Sequence, residues 1–216
     1  MDKIERDFLV VGHPRTGTGY MSKLFGAAGL NVGHEWIGYH GISCWMFATP
    51  DGNYARGPRG DIKNRSRKHF SFKYIIHNVK HPFTCMSSIV NIENNAKDSY
   101  NFRKKYVAIK DSAPRLERAV LSFLGWHEMI EKTVKVDCVI QIENAEEQLR
   151  EFLESKNIPC NYRTNLPPKD YNTRRNSSKY NYEPILQSEW NALPQKLKDK
   201  LNAFCEKYGY EKIKFI

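Results

Sequence analysis

Glycines at positions 12, 17 and 19 surround an arginine at position 15 in the stretch VGHPRTGTGYM, Val11–Met21. An apolar run, DFLVV, precedes it, and a segment with helical spacing follows. A glycine-rich turn between a strand and a helix lets successive amides approach an anion, and the helix N-terminus adds its partial positive charge. Gly12 and Gly17 have the separation of an ATP-binding loop, G-x-x-x-x-G-K-[ST], but Thr18 stands where that loop needs its lysine. The cation comes earlier, as Arg15, whose guanidinium can clamp phosphate or sulfate oxygens through two parallel hydrogen bonds. An ordinary βα turn that happens to contain glycines is the bland alternative.

HPRTGTGYM resembles the 5′-phosphosulfate-binding loop of the sulfotransferases that use 3′-phosphoadenosine 5′-phosphosulfate (PAPS), commonly P-[KR]-[ST]-G-[ST]-[ST] followed by an aromatic or apolar residue. Pro14, Arg15, Thr16, Gly17 and Thr18 match, Gly19 stands where a hydroxyl residue is usual, and Tyr20 is the aromatic residue. The family also has a strand ending in a basic residue, with a serine eight positions on. IIHNVKHPFTCMSSI is similar, with Lys80 and Ser88, and the resemblance implies that these hold the 3′-phosphate. Lysine in place of the usual arginine turns a bidentate clamp into a point charge. Without the family, Lys80 is a strand-end cation and Ser88 a hydroxyl on a helix face. The resemblance further implies a catalytic base near Glu35, twenty residues beyond Arg15. His34 is the rival base, because imidazole titrates near neutrality. The stretch YNTRRNSSKY, Tyr171–Tyr180, resembles the late loop that closes over the nucleotide, and it makes Arg174, Arg175 and Lys179 candidates for the 3′-phosphate.

The implied activity moves a sulfuryl group from PAPS to a hydroxyl or amine of a small-molecule or carbohydrate acceptor, leaving PAP. The displacement is in-line, through a loose, charge-spread transition state like that of phosphoryl transfer. No metal is required, and no metal-ligand cluster stands out in the sequence. Trp36, Tyr39, Trp45 and Phe47 either line an acceptor pocket or belong to the core. The basic stretch with Arg56, Arg59, Lys63, Arg65, Arg67 and Lys68 either receives an acidic sugar or is solvated. Two rival functions predict features that are missing. A P-loop nucleotide kinase needs the lysine after Gly17. A non-enzymatic nucleic-acid-binding domain needs a helix-turn-helix, zinc finger or aromatic sheet face.

These residues need elements to position them. DFLVVG reads as a buried parallel strand. A helix is expected over about 18–28 with Gly29 as its stop, then a short strand in LNVGHE and a loop or lid over 50–69. FSFKYIIHNV, Phe70–Val79, is the next strand, and Pro82 opens a helix through FTCMSSIVNI. Residues 111–134 form a long amphipathic helix, with Leu116, Val120, Phe123, Leu124 and His127 at helical spacing. VDCVIQIE is a strand, NAEEQLREFLESKN a helix capped by Asn144, and PQKLKDKLNAFCEKYG a last helix after an irregular polar stretch. Alternating strands and helices argue for an α/β fold: three layers, with a central, mostly parallel sheet flanked by helices. The resemblance sharpens this to a P-loop-like sulfotransferase architecture in a single domain over 1–216.

The chain has 216 residues, 40% of them apolar, which suits one folded domain with a sizeable core. Its net charge of +10 serves either solubility or an anionic ligand. The five cysteines form no C-x-x-C pair and read as reduced thiols. MDKIERDF has no apolar signal core, and no apolar run is long enough to span a membrane. A complete, cytoplasmic protein is therefore expected, with no membrane span and no nucleic acid as partner.

Overall fold

A computed structural model describes residues 3–53, 66–160, 166–167 and 182–215. Five parallel strands form one sheet in the order β2-β3-β1-β4-β5. They are β1 (Ile4–Val11), β2 (Val32–His34), β3 (Gly41–Ser43), β4 (Phe70–Val79) and β5 (Cys138–Gln141). The helices are α1 (Thr18–Ala27), α2 (Pro82–Ser88), α3 (Lys97–Lys104), α4 (Arg115–Thr133), α5 (Ala145–Ser155), α6 (Gln187–Asn191) and α7 (Gln195–Lys207). The fold class is the expected one: α/β, with a parallel central sheet flanked by helices. Among the described residues no helix is long and apolar enough to cross a membrane.

In their described parts, the residues divide into two compact units, Met1–Val79 with Ile130–Asn172 and Lys80–Met129 with Thr173–Ile216. The first holds the sheet. Phe8, Val10, Ile76 and Ile140 pack from the strands against Met21, Leu24 and Phe25 of α1 and Leu149 and Phe152 of α5. Leu9 and Val11 alternate to the opposite face and are fully buried as well. Burial on both faces explains why the end of β1 reads as a continuous apolar run. α1 stops as expected: Gly29 takes φ 84, its N–H reaches the Gly26 carbonyl (3.1 Å), and Leu30 N–H reaches the Phe25 carbonyl (2.9 Å).

The second unit has its own core. Leu116, Val120, Phe123, Leu124 and His127 of α4 are all buried, as their spacing predicts. Phe123 and His127 meet Phe204 of α7, with ring centroids 4.8 and 5.0 Å apart. The buried Arg103 guanidinium donates to Ser122 Oγ, the Glu93 carbonyl (3.1 Å) and Asn94 Oδ1 (3.2 Å).

Several expectations need correction. The first strand starts at Ile4, earlier than DFLVV suggests, because its partner β4 reaches back to Phe70 in register. The helix after Pro82 gives way to a π-helical turn over Ile89–Glu93. Asn144 stands at the N-cap of α5 but makes no capping bond; its Nδ2 donates to Gln141 Oε1 (2.8 Å). β3, α3 and α6 were not expected. Each is short, and the polar α3 carries too few apolar residues to show a helical period.

Candidate functional site

β1 ends at Val11, opposite His77 of β4, and Gly12 follows at the carboxyl end of the strand. Ligands of open α/β sheets bind at that end. A Cβ on Gly12 would lie 2.5 Å from Asn78 Oδ1 and 2.8 Å from Thr16 Oγ1, so only glycine fits. His13 is fully buried, and its Nδ1–H donates to the Pro14 carbonyl (2.5 Å). Thr16 closes a tight turn, its N–H and Oγ both donating to the His13 carbonyl (3.0 and 2.7 Å). Half-buried Arg15 sits within this turn at φ 78, a strained conformation for a residue with a Cβ. Asn78 Nδ2 ties the turn to β4 by donating to the Thr16 carbonyl (2.7 Å).

Gly17 takes φ 101 at the N-cap of α1 and, as a glycine, supplies no side-chain capping bond. The first-turn amides of a helix have no acceptor within the helix itself. The loop therefore presents a helix N-terminus beside an arginine. The Thr16 amide is not part of that set, because the His13 carbonyl takes it. The buried ring of Tyr20 joins the core beneath α1, where burial and then the Glu146 charge push its phenol up.

Of the two candidate bases, His34 stands against this loop and Glu35 follows it in the chain. Both are half-buried at the carboxyl end of β2, which pairs with β3 and brings His34 opposite Ser43. His34 Nε2 is 3.4 Å from Thr18 Oγ1. Buried Ser43 links loop and base. Its Oγ donates to the Thr18 carbonyl (2.8 Å), and its own carbonyl accepts from Glu35 N–H (3.1 Å). Glu35, at φ 57, also accepts from the Trp45 indole through Oε1 (3.0 Å). The adjacent Cys44 is fully buried; burial and then the Glu35 charge push its thiol well above the ordinary range.

Lys80 and Ser88 belong to the second unit. Half-buried Lys80 directly follows β4, and half-buried Ser88 ends α2. Between them His81 caps α2: its Nδ1 accepts from Phe83 N–H (3.2 Å) and its Nε2 donates to the Glu211 carbonyl (3.0 Å). With Pro82 at the first position, this fixes the strand-to-helix turn after Lys80. Asn91, one turn beyond Ser88, accepts from Glu183 N–H (3.0 Å) and donates to the Glu183 carbonyl (2.8 Å). Arg174, Arg175 and Lys179, like Arg56, Arg59, Lys63 and Arg65, lie outside the described residues.

The aromatic stretch divides. Trp45 and Phe47 are buried, Trp45 as the indole donor to Glu35, whereas Trp36 is 44% exposed and Tyr39 81%. A cavity of about 350 Å³ beside Lys3, Arg67, Lys68 and Phe72 opens at the amino end of β4. It is on the far side of the strand register from Gly12, so the loop chemistry does not use it. Among the described residues no group of three or more His, Cys, Asp or Glu is arranged to hold a metal ion.

Ser43 and Asn78 were missed as site residues. Asn78 had a visible signal, an amide inside the buried run YIIHNV, since a buried amide needs a partner. Ser43 had none, because β3 itself was not expected.

No family model matches the sequence, and no curated protein matches it significantly. The chain is similar in fold to a solved structure described as a sulfotransferase domain from the curacin biosynthetic pathway. The TM-score is 0.53 at 10% sequence identity, over 98% of this chain and 100% of that one. At that identity the likeness is one of fold, and the architecture is sulfotransferase-like.

Proposed function

We propose that the chain is a cytoplasmic, PAPS-dependent sulfotransferase acting on a hydroxyl or amine of a small-molecule or carbohydrate acceptor. One observation carries the proposal. Arg15 and the N-terminus of α1 share one loop, which the His34 ring meets at Thr18 and to which the Glu35 backbone is tied through Ser43. The residues suit the donor's anionic end: a guanidinium, amides at a helix N-terminus, and glycines where a Cβ would clash. PAPS supplies the sulfuryl group.

The loop from Pro14 through Thr16, Gly17, Thr18 and Gly19 to Tyr20 holds the 5′ end. Arg15 and the amides from Gly17 to Gly19 stabilise charge that grows on the departing phosphate oxygen. Glu35 takes the acceptor's proton as its oxygen or nitrogen bonds to sulfur and the sulfur–phosphate oxygen bond breaks, releasing PAP. His34 is the second candidate for that role. Lys80 and Ser88 hold the 3′-phosphate, so that remote binding energy aligns the reacting end. Arg174 and Arg175 are further candidates on sequence grounds. In this proposal residues 1–216 act as one functional domain.

The test is a thermal-shift comparison of PAP, ATP and AMP. A ligand that binds only the folded chain stabilises it by about 2.7 kcal/mol at a hundred times its Kd. For a chain of this length that raises Tm by about 5–10 °C. PAP is expected to give this shift and AMP little. A magnesium-dependent shift with ATP, and none with PAP, would instead identify a kinase.

A further inference from the structure

We infer that Asn78 is a positioning residue that aims the first amide of the anion loop, an assignment that rests on the function proposed above. Asn78 is fully buried on β4, on the face that carries Tyr74 and Ile76. Its Nδ2 donates to the Thr16 carbonyl (2.7 Å) and lies 3.2 Å from Thr16 Oγ1. A carbonyl can only accept, so the nitrogen end must face Thr16 and the oxygen end must face away. That oxygen is buried with no hydrogen-bond partner. It lies 2.5 Å from where a Gly12 Cβ would stand.

For packing alone this is a poor residue. Valine would fill a buried strand position without an unpaired oxygen. What the amide gains is its grip on Thr16. The Thr16–Gly17 peptide is planar and trans, so its C=O and N–H point in opposite directions. By drawing the carbonyl toward β4, Asn78 turns the Gly17 N–H away from the strand. Gly17 is the N-cap of α1 and its φ of 101 is set by the same peptide, so the helix N-terminus inherits this orientation. The amide thus acts through Gly17 on whatever anion the loop holds, without touching it.

The test compares PAP with adenosine 3′-phosphate, which lacks the 5′-phosphate, by calorimetry on wild type, Asn78→Val and Asn78→Ala. Circular dichroism checks that each variant folds. The expected result is a loss of about tenfold or more in PAP affinity, the worth of one oriented hydrogen bond to a charged group. Affinity for adenosine 3′-phosphate should stay within about twofold, since that ligand does not use the 5′ loop. Equal losses for both ligands would make Asn78 a general structural residue and overturn the assignment. So would unchanged PAP affinity, or failure of both variants to fold. If wild type binds neither nucleotide, the proposed function itself fails and takes this assignment with it.

Discussion

Two residues at the loop are expected to fail in different ways. In the proposed reaction Arg15 would contact charge that grows in the transition state, so Arg15→Ala should lower sulfuryl transfer by about two to three powers of ten, the cost of one such donor. It should also weaken PAP binding. Glu35→Gln keeps a side-chain oxygen for the Trp45 indole and keeps the backbone bond to Ser43. PAP affinity should then be unchanged, while transfer falls by about 10²–10⁴-fold with the loss of a general base. Labelled-sulfate transfer from PAPS to a panel of alcohols, amines and sugars, alongside calorimetry with PAP, separates the two. Normal transfer by the Gln variant would move the base to His34, which the same Thr18 hydroxyl approaches. Cys44 is no competitor, because burial and the Glu35 charge keep its thiol protonated.

At the scale of elements, the loop is shaped by what lies under it. Gly17 needs its left-handed φ of 101, and a Cβ there would come within 2.6 Å of Ile142 Cδ1, in the turn between β5 and α5. Gly17→Ala should cost about 1–2 kcal/mol for the backbone alone, with the collision added. Pairing it with Ile142→Ala removes the colliding atoms, so the double variant should melt higher than the sum of the single losses predicts. Strictly additive losses would show that Ile142 does not constrain the position. Much of this arrangement was legible beforehand. A continuous apolar run announced β1, and the glycines and Arg15 announced the loop between β1 and α1. Three-residue β2 and β3 are another matter. A strand that short has no period to read, and its pairing depends on partners far along the chain. Glu35 and His34 were therefore nameable from the motif, whereas Ser43, which joins them to Thr18, became visible only once β3 lay beside β1.

For the whole molecule, a net charge of +10 makes acid the natural stress, since each carboxylate that protonates adds to self-repulsion. The second unit relies on such a group. Arg115 grips Glu189 with two parallel bonds, Nε to Oε1 (2.7 Å) and Nη2 to Oε2 (2.8 Å), and its Nη1 reaches Glu183 Oε2 (2.6 Å). The Arg115 hydrogen bonds, and more weakly the Leu186 N–H, hold the Glu189 carboxyl below the usual carboxylate range. A carboxyl depressed in the folded state stabilises fully above its unfolded pKa, about 4.3, and that stability is lost as pH falls through the lower folded value. Glu189→Gln should therefore lower Tm at pH 7 by about 2–4 °C, corresponding to about 1 kcal/mol for a partly exposed pair. The gap to wild type should shrink as pH falls below about 4 and close once both states are protonated. Melts followed by circular dichroism at pH 7, 4 and 3 decide the matter. A gap as wide at pH 3 as at pH 7 would mean that Glu189 stabilises by packing, with its charge irrelevant. A gap that narrows ties part of the acid sensitivity of the second unit to the Arg115 cluster joining α4 to α6.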